Sequence, residues 1–218
     1  MQASASPSTV TTADAPASRN TVGFGRLRWR VVDIVVASVI GVASGLIFLL
    51  WNIGYLGPKG LLDPLLPGLQ GLLDGPWLFA GVLGALIIRK PGAALYTETL
   101  AAVVSALVGN QWGGFLTLEA GLVQGLGAEL IFLIFFYRAW KLPVAMLAGA
   151  GAAIAGGINN LVLWYVGADA GFTVIYMIST TISGAVIAGA LSWFLARGLA
   201  ATGALDRFAS GRERRDLV

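Results

Sequence analysis

The stretch Val31-Val-Asp-Ile-Val-Val-Ala-Ser-Val-Ile-Gly-Val-Ala-Ser-Gly-Leu-Ile-Phe-Leu-Leu-Trp51 decides the fold. Its only charged side chain is Asp33, close to its start. At a rise of ~1.5 Å per residue it reaches across the ~30 Å hydrocarbon layer of a bilayer. Five more apolar segments follow with short breaks, at residues 76–88, 92–108, 115–136, 142–166 and 172–196. Composition agrees with this pattern. Hydrophobic residues make up 57% of the 218 positions and charged residues 11%, against about 25% in a soluble domain. Mean hydropathy is +0.81. So little polar surface cannot coat a soluble globule. The expected fold is therefore an all-α integral membrane protein with six transmembrane helices. The second segment is short for a span, so part of the preceding connection is expected to dip into the outer half of the membrane. That connection, residues 52–75, carries Pro58, Pro64 and Pro67. It is the one long outer loop, between the first and second spans, and long loops in compact domains commonly serve as lids.

Charge placement supplies the topology. With the amino terminus inside, Arg19, Arg26, Arg28, Arg30, Arg89, Lys90, Arg138, Lys141, Arg197, Arg207, Arg212, Arg214 and Arg215 all fall on the inner side. Lys59 alone falls outside. Thirteen of the fourteen basic residues on one side obey the positive-inside rule with both termini cytoplasmic. Adding or removing one span destroys the pattern. Residues 1–25, rich in Ser, Thr, Ala and Pro, read as a disordered cytoplasmic tail. Residues 26–198 form the membrane domain, and 199–218 a basic cytoplasmic tail.

The absent residue types exclude much chemistry. The chain has no His and no Cys, which removes Cys/His zinc sites, Cys nucleophiles and imidazole bases. None of its three Lys residues is followed by Ser or Thr, so there is no Walker A loop. An enzyme is not expected, and no cofactor.

Chemistry that remains lies in polar groups set within apolar segments. Glu98, Glu119 and Glu129 fall inside expected spans that hold no Lys or Arg. An unpaired carboxylate in lipid is costly, which makes it a functional candidate whose missing partner can be a cationic ligand. Glu98 and Glu129 have a plainer alternative as protonated or hydrogen-bonded links between helices. Glu119 lies about one turn from the outer end of its span, where an external ligand can reach it. Trp112, Gln124, Asn159, Asn160, Trp164, Tyr165 and Tyr176 gather toward the same side. For the aromatic residues an interfacial belt is the alternative, Trp51 and Trp77 included. Carboxylates, amides and rings together suit a flat, nitrogen-rich, positively charged molecule. Ala37, Gly41 and Gly45 form a small-residue stripe on the first span that can pack a helix of this chain or dock a partner subunit.

Several motifs resemble one known family. The run Gly81-Val-Leu-Gly-Ala-Leu-Ile-Ile-Arg-Lys-Pro-Gly-Ala-Ala-Leu95 and the run Gly121-Leu-Val-Gln-Gly-Leu-Gly-Ala-Glu129 are similar to the YkoE-type S components of energy-coupling factor (ECF) transporters. Trp29-Arg-Val-Val-Asp-Ile34 and Gln111-Trp-Gly agree, and the resemblance spans residues 26–197. It implies a bacterial plasma-membrane subunit of an ECF-type ABC importer that binds thiamine or its hydroxymethylpyrimidine (HMP) precursor. It also implies a transmembrane coupling subunit and a cytoplasmic ATPase as partners. In S components an Ala-x3-Ala stripe meets the coupling subunit, and Ala37 and Gly41 stand at the matching positions. On this expectation Glu119 pairs with the positive ring or an aminopyrimidine, Asn159 and Asn160 read ring edges, and Trp112, Trp164 and Tyr165 stack. A standalone proton-coupled carrier using Glu98 or Glu129, and a ligand-free structural membrane subunit, are the alternatives.

Overall fold

The structure, a computed structural model, describes residues 27–206, 208, 210 and 211. Helix α1 (Val31–Gly54) is followed by a short α2 (Leu56–Leu62) and two 3-10 turns, Leu69–Leu73 and Gly75–Trp77. Then come α3 (Phe79–Ile88), α4 (Ala93–Val108), α5 (Gly114–Ile134), α6 (Leu142–Leu163) and α7 (Ala170–Ser183). A π-helical segment (Gly184–Leu191) runs from α7 directly into α8 (Ser192–Ala201). The described residues contain no strand. The tail expected at residues 1–25 lies outside the described residues, as do Arg207 and residues 212–218.

Among the described residues, four helical rods are long and apolar enough to cross a membrane: α1, α5, α6 and the continuous Ala170–Ala201. The expected second and third spans are shorter, at 10 residues for α3 and 16 for α4. Pro76 sits in a 3-10 turn, and the α-helix starts only at Phe79. α3 is apolar on every face because it lies inside the bundle. All its residues from Ala80 to Ile88 are buried, between α1, α4, the π segment and α8. The last span is also longer than expected and π-helical midway.

Helices in lipid gain little from the hydrophobic effect, so small residues that allow close approach hold the bundle. Ala37, Gly41 and Gly45 are all buried, the two glycines against α4. A Cβ on Gly41 would stand 3.0 Å from Leu100, and one on Gly45 would stand 2.7 Å from the Ala101 carbonyl. Gly41 and Gly45 are therefore packed within the chain, the first of the two uses expected of the stripe. Gly127 meets Gly151 between α5 and α6, and Gly149 meets Gly184 and Gly189 between α6 and the π segment.

The end of the bundle that carries most of the basic residues is tied by ions. Asp33, fully buried, accepts from the Arg30 backbone at 2.7 Å and its guanidinium at 2.9 Å, and pairs with Lys90. Lys90 also donates to the Arg28 carbonyl, and Trp29 Nε1 donates to the Pro91 carbonyl at 2.8 Å. These bonds lock the start of α1 onto the α3–α4 turn. Residues 199–206, expected as a tail, extend α8 to Ala201 and then turn, burying Leu205. Phe208 is buried too, and Ser210 donates to the Ile87 carbonyl at 3.2 Å.

Both short helices have their first amides met by a carboxylate from another helix. Glu129 of α5 accepts from Gly92, Ala94 and Leu95 N–H at 2.6, 2.9 and 3.3 Å, and from the Tyr137 hydroxyl at 2.7 Å. Glu98 of α4 accepts from Gly81 N–H, in the first turn of α3, at 2.6 Å. The first amides of a helix lack intrahelical partners and carry partial positive charge, and lipid offers no water to satisfy them. An acid there is a helix anchor.

Candidate ligand-binding site

A cavity of about 140 Å³ lies at the opposite end of the bundle from the Arg30–Asp33–Lys90 network. The wall comes from the ends of five helices that all point the same way. Phe48 and Asn52 end α1, Ala102 and Ser105 end α4, and Leu116, Thr117, Ala120, Gly121 and Gln124 lie in the first half of α5. Asn160 ends α6, with Trp164 and Tyr165 just beyond, and Tyr176 begins α7. The 52–75 connection contributes Tyr55, Lys59, Gln70 and Asp74.

That connection is fastened to α7 along its inner half. Ser183 accepts from Gly75 N–H at 3.0 Å and donates to the Leu72 carbonyl at 2.6 Å. Gly68, at φ +100°, follows Pro67 and lies against the α7 backbone, where a Cβ would stand 2.8 Å from Tyr176 N. Only glycine combines that φ with that approach. The Gln70 side chain accepts from Gly68 N–H at 2.9 Å and closes the turn. The result sets Asp74 beside Tyr176. The Tyr176 hydroxyl donates to Asp74 Oδ2 at 2.6 Å and accepts from Asn160 Nδ2 at 2.7 Å. Burial pushes the Asp74 carboxyl up to about 6, against the opposing pull of hydrogen bonds from Tyr176 and Thr180.

Aromatic rings form much of the remaining wall. Tyr55 packs on Trp77 with centroids 5.2 Å apart and on Trp112 at 5.7 Å, and Trp112 meets Trp164 at 5.7 Å. Tyr165 meets Tyr176 at 5.1 Å. Asn52 orients the indoles, since its Oδ1 accepts from Trp77 Nε1 at 2.8 Å and Trp112 Nε1 at 3.4 Å while its amide donates to Ser105 Oγ at 3.2 Å. Edge-on aromatic pairs contribute ~0.5–1.5 kcal/mol each, so the wall is stiff before a ligand arrives.

Of the residues singled out from sequence, Trp112, Gln124, Asn160, Trp164, Tyr165 and Tyr176 come together on this wall. Glu119, Asn159 and Glu98 do not. Glu119 accepts from Asn159 Nδ2 at 2.9 Å, so the two pair with each other across α5 and α6. Glu98 is 1% exposed and engaged with α3. The carboxylate on the wall is Asp74, which the sequence did not single out because it sits in a Gly- and Pro-rich connection outside every apolar segment. Trp77 also lines the cavity, while Trp51 packs behind it at 6.2 Å and donates to the Leu73 carbonyl at 3.0 Å. Asp74, immediately before Gly75-Pro76-Trp77, shares the 52–75 connection with one other acid, Asp63.

A helical bundle with four membrane-length rods and a polar, ring-lined chamber at one end defines a helical membrane protein with a candidate small-molecule site. The comparisons with known proteins agree. The family model described as "ABC-type cobalt transport system, permease component" matches residues 32–155. The chain is 38% identical over 192 residues to "Putative HMP/thiamine permease protein YkoE" of Bacillus subtilis (strain 168), covering 85% of this chain and 92% of that protein. A solved structure, "Crystal structure of an S-component of ECF transporter", aligns with a TM-score of 0.80 at 37% identity. It covers 87% of this chain and 94% of its own. The chain belongs to the S components of ECF transporters, in the YkoE group, and is a multi-pass protein of the bacterial plasma membrane. One description names cobalt, yet the chain has no His or Cys, and among the described residues no three His, Cys, Asp or Glu side chains gather as a ligand set.

Proposed function

We propose that this S component captures thiamine or its hydroxymethylpyrimidine precursor at the outer face of the membrane. A coupling subunit and an ATPase then drive its release inward. One observation carries the reading: the wall holds a single carboxylate, Asp74, hydrogen-bonded to Tyr176, and Trp77, Trp112 and Trp164 line the same cavity. A carboxylate that shares a cavity with aromatic rings attracts a cation and also hydrogen-bonds an aminopyrimidine edge. Asn160 and Gln124 supply amides for ring nitrogens, and Tyr55, Lys59 and Gln70 of the 52–75 connection cover the ligand. The outward orientation is supported by charge, because the cavity lies at the end away from Arg30, Lys90, Arg138 and Lys141 and those residues belong inside. Six spans with both termini cytoplasmic go with that orientation, the short α3 and α4 each crossing with the help of flanking turns.

The relatives' names, an HMP/thiamine permease and an ECF S component, support the same substrate and the same dependence on partners. Reconstitution tests the reading. Vesicles holding this chain with its coupling subunit and ATPase accumulate labelled thiamine or HMP only when ATP is supplied on the cytoplasmic side. Accumulation by this chain alone under a pH gradient would replace the proposal with a proton-coupled carrier.

A further inference from the structure

The charged residues of the cavity wall are two, of opposite sign and at different depths. Asp74 is held from within by Tyr176, which is 1% exposed. Lys59 stands on α2, a helix with no buried residue, and its side chain is 31% exposed. A ligand that carried only positive charge would meet attraction at Asp74 and repulsion at the rim. A ligand with an anionic group at its outer end would satisfy both.

We infer that Lys59 is a specificity residue that favours ligands bearing a phosphate ester on the end pointing away from Asp74. This rests on the capture reading above. Its present partner does not block the role. Lys59 pairs with Asp63 one turn along, where Asp63 is 40% exposed and off the cavity wall. Exposed pairs of this kind are weak and readily exchanged. An ammonium also has three donors, so a phosphate can join or replace Asp63. A phosphate oxygen accepting from an ammonium makes a charge-assisted bond, stronger than one between neutral groups. Thiamine carries its hydroxyl at the end opposite the aminopyrimidine, and HMP carries one on a methylene substituent of the ring. With the aminopyrimidine against Asp74, that hydroxyl, or its ester, lies toward Lys59. Specificity then becomes a difference between two ends of one molecule, read by two opposite charges.

The test is calorimetric binding of four probes to the full chain in nanodiscs: thiamine, thiamine monophosphate, HMP and HMP phosphate. Each ester is expected to bind about tenfold more tightly than its alcohol in the wild type, a difference of about 1.4 kcal/mol. In Lys59→Gln that gap, read as the ratio of ester to alcohol affinity within the same variant, closes. In Asp63→Asn the gap persists or widens. Esters that bind no better than alcohols in the wild type, or a gap that survives Lys59→Gln, would overturn the inference while leaving capture intact. Failure of all four probes to bind would overturn capture and this inference together.

Discussion

The Tyr176 hydroxyl donates to Asp74 Oδ2 at 2.6 Å, although 102 residues separate the two in sequence. One bond thus joins the turn before α3 to the first half of α7, and both residues line the cavity. Tyr176→Phe removes the donor to Asp74 and the acceptor for Asn160 while keeping the ring. A hydrogen bond to a charged group contributes ~1.5–3 kcal/mol, so ligand affinity should fall about tenfold or more. Calorimetry on the purified variant measures it, and an unchanged affinity would mean that Asp74 needs no help from Tyr176.

Binding should depend on pH through Asp74. Its carboxyl is raised to about 6 in the folded chain, above the ~3.9 of an unfolded one. The folded, empty protein therefore holds this proton more tightly than the unfolded chain does. The stability from this group is fully present below about pH 4, declines as pH rises toward 6, and is constant above. Ligand binding runs the other way, because only the ionised carboxylate accepts from the aminopyrimidine's amino group while attracting the positive charge of the molecule. Thiamine affinity should weaken as pH falls below 6, by up to tenfold per unit. Binding near pH 6 should release a proton, seen as a heat that changes with buffer ionisation enthalpy. Asp74→Asn should remove both effects.

The stripe on α1 gives a prediction about stability. Gly45→Ala puts a Cβ within 2.7 Å of the Ala101 carbonyl and 2.6 Å of Val104 Cβ, and backbone cannot yield as a side chain can. Overpacking of this kind costs ~1–3 kcal/mol. The melting temperature in detergent should fall by several degrees, whereas Gly54→Ala, with nothing within 4 Å of its added Cβ, should leave it unchanged. An equally stable Gly45→Ala would contradict this packing.

Glu129→Ala leaves three amides at the start of α4 without their acceptor. Each buried unsatisfied donor costs ~1–3 kcal/mol, so the variant should be destabilised by about 3 kcal/mol or more. Folded Glu129→Ala should still bind ligand with near wild-type affinity, because Glu129 is not on the cavity wall. Lost binding in a well-folded sample would assign Glu129 a direct role.

The sequence makes the membrane class legible, because twenty-residue apolar runs and one-sided basic residues follow from the bilayer itself. The rods α1, α5 and α6 fall where the hydropathy places them. What it leaves hidden is tertiary. Glu98 and Glu129 stand out as acids in apolar runs, but their partners are backbone amides of other helices, which no spacing reveals. Glu119 and Asn159 stand out for the same reason, and they pair with each other. Asp74 has the opposite problem. An acid among glycines and prolines looks like ordinary loop polarity until Gly68 and Ser183 fold that loop onto α7. The π segment leaves no compositional trace either, since Gly184–Leu191 continues the apolar run of Ala170–Ala201 without a break.

Everything turns on which carboxylate greets the guest molecule. Titrating thiamine and HMP into purified wild type, Asp74→Asn and Glu119→Gln decides it most directly. The account predicts saturable binding to the wild type, at least a hundredfold loss in Asp74→Asn, and little change in Glu119→Gln. Wild-type affinity in a folded Asp74→Asn, with the loss falling on Glu119→Gln instead, would contradict it.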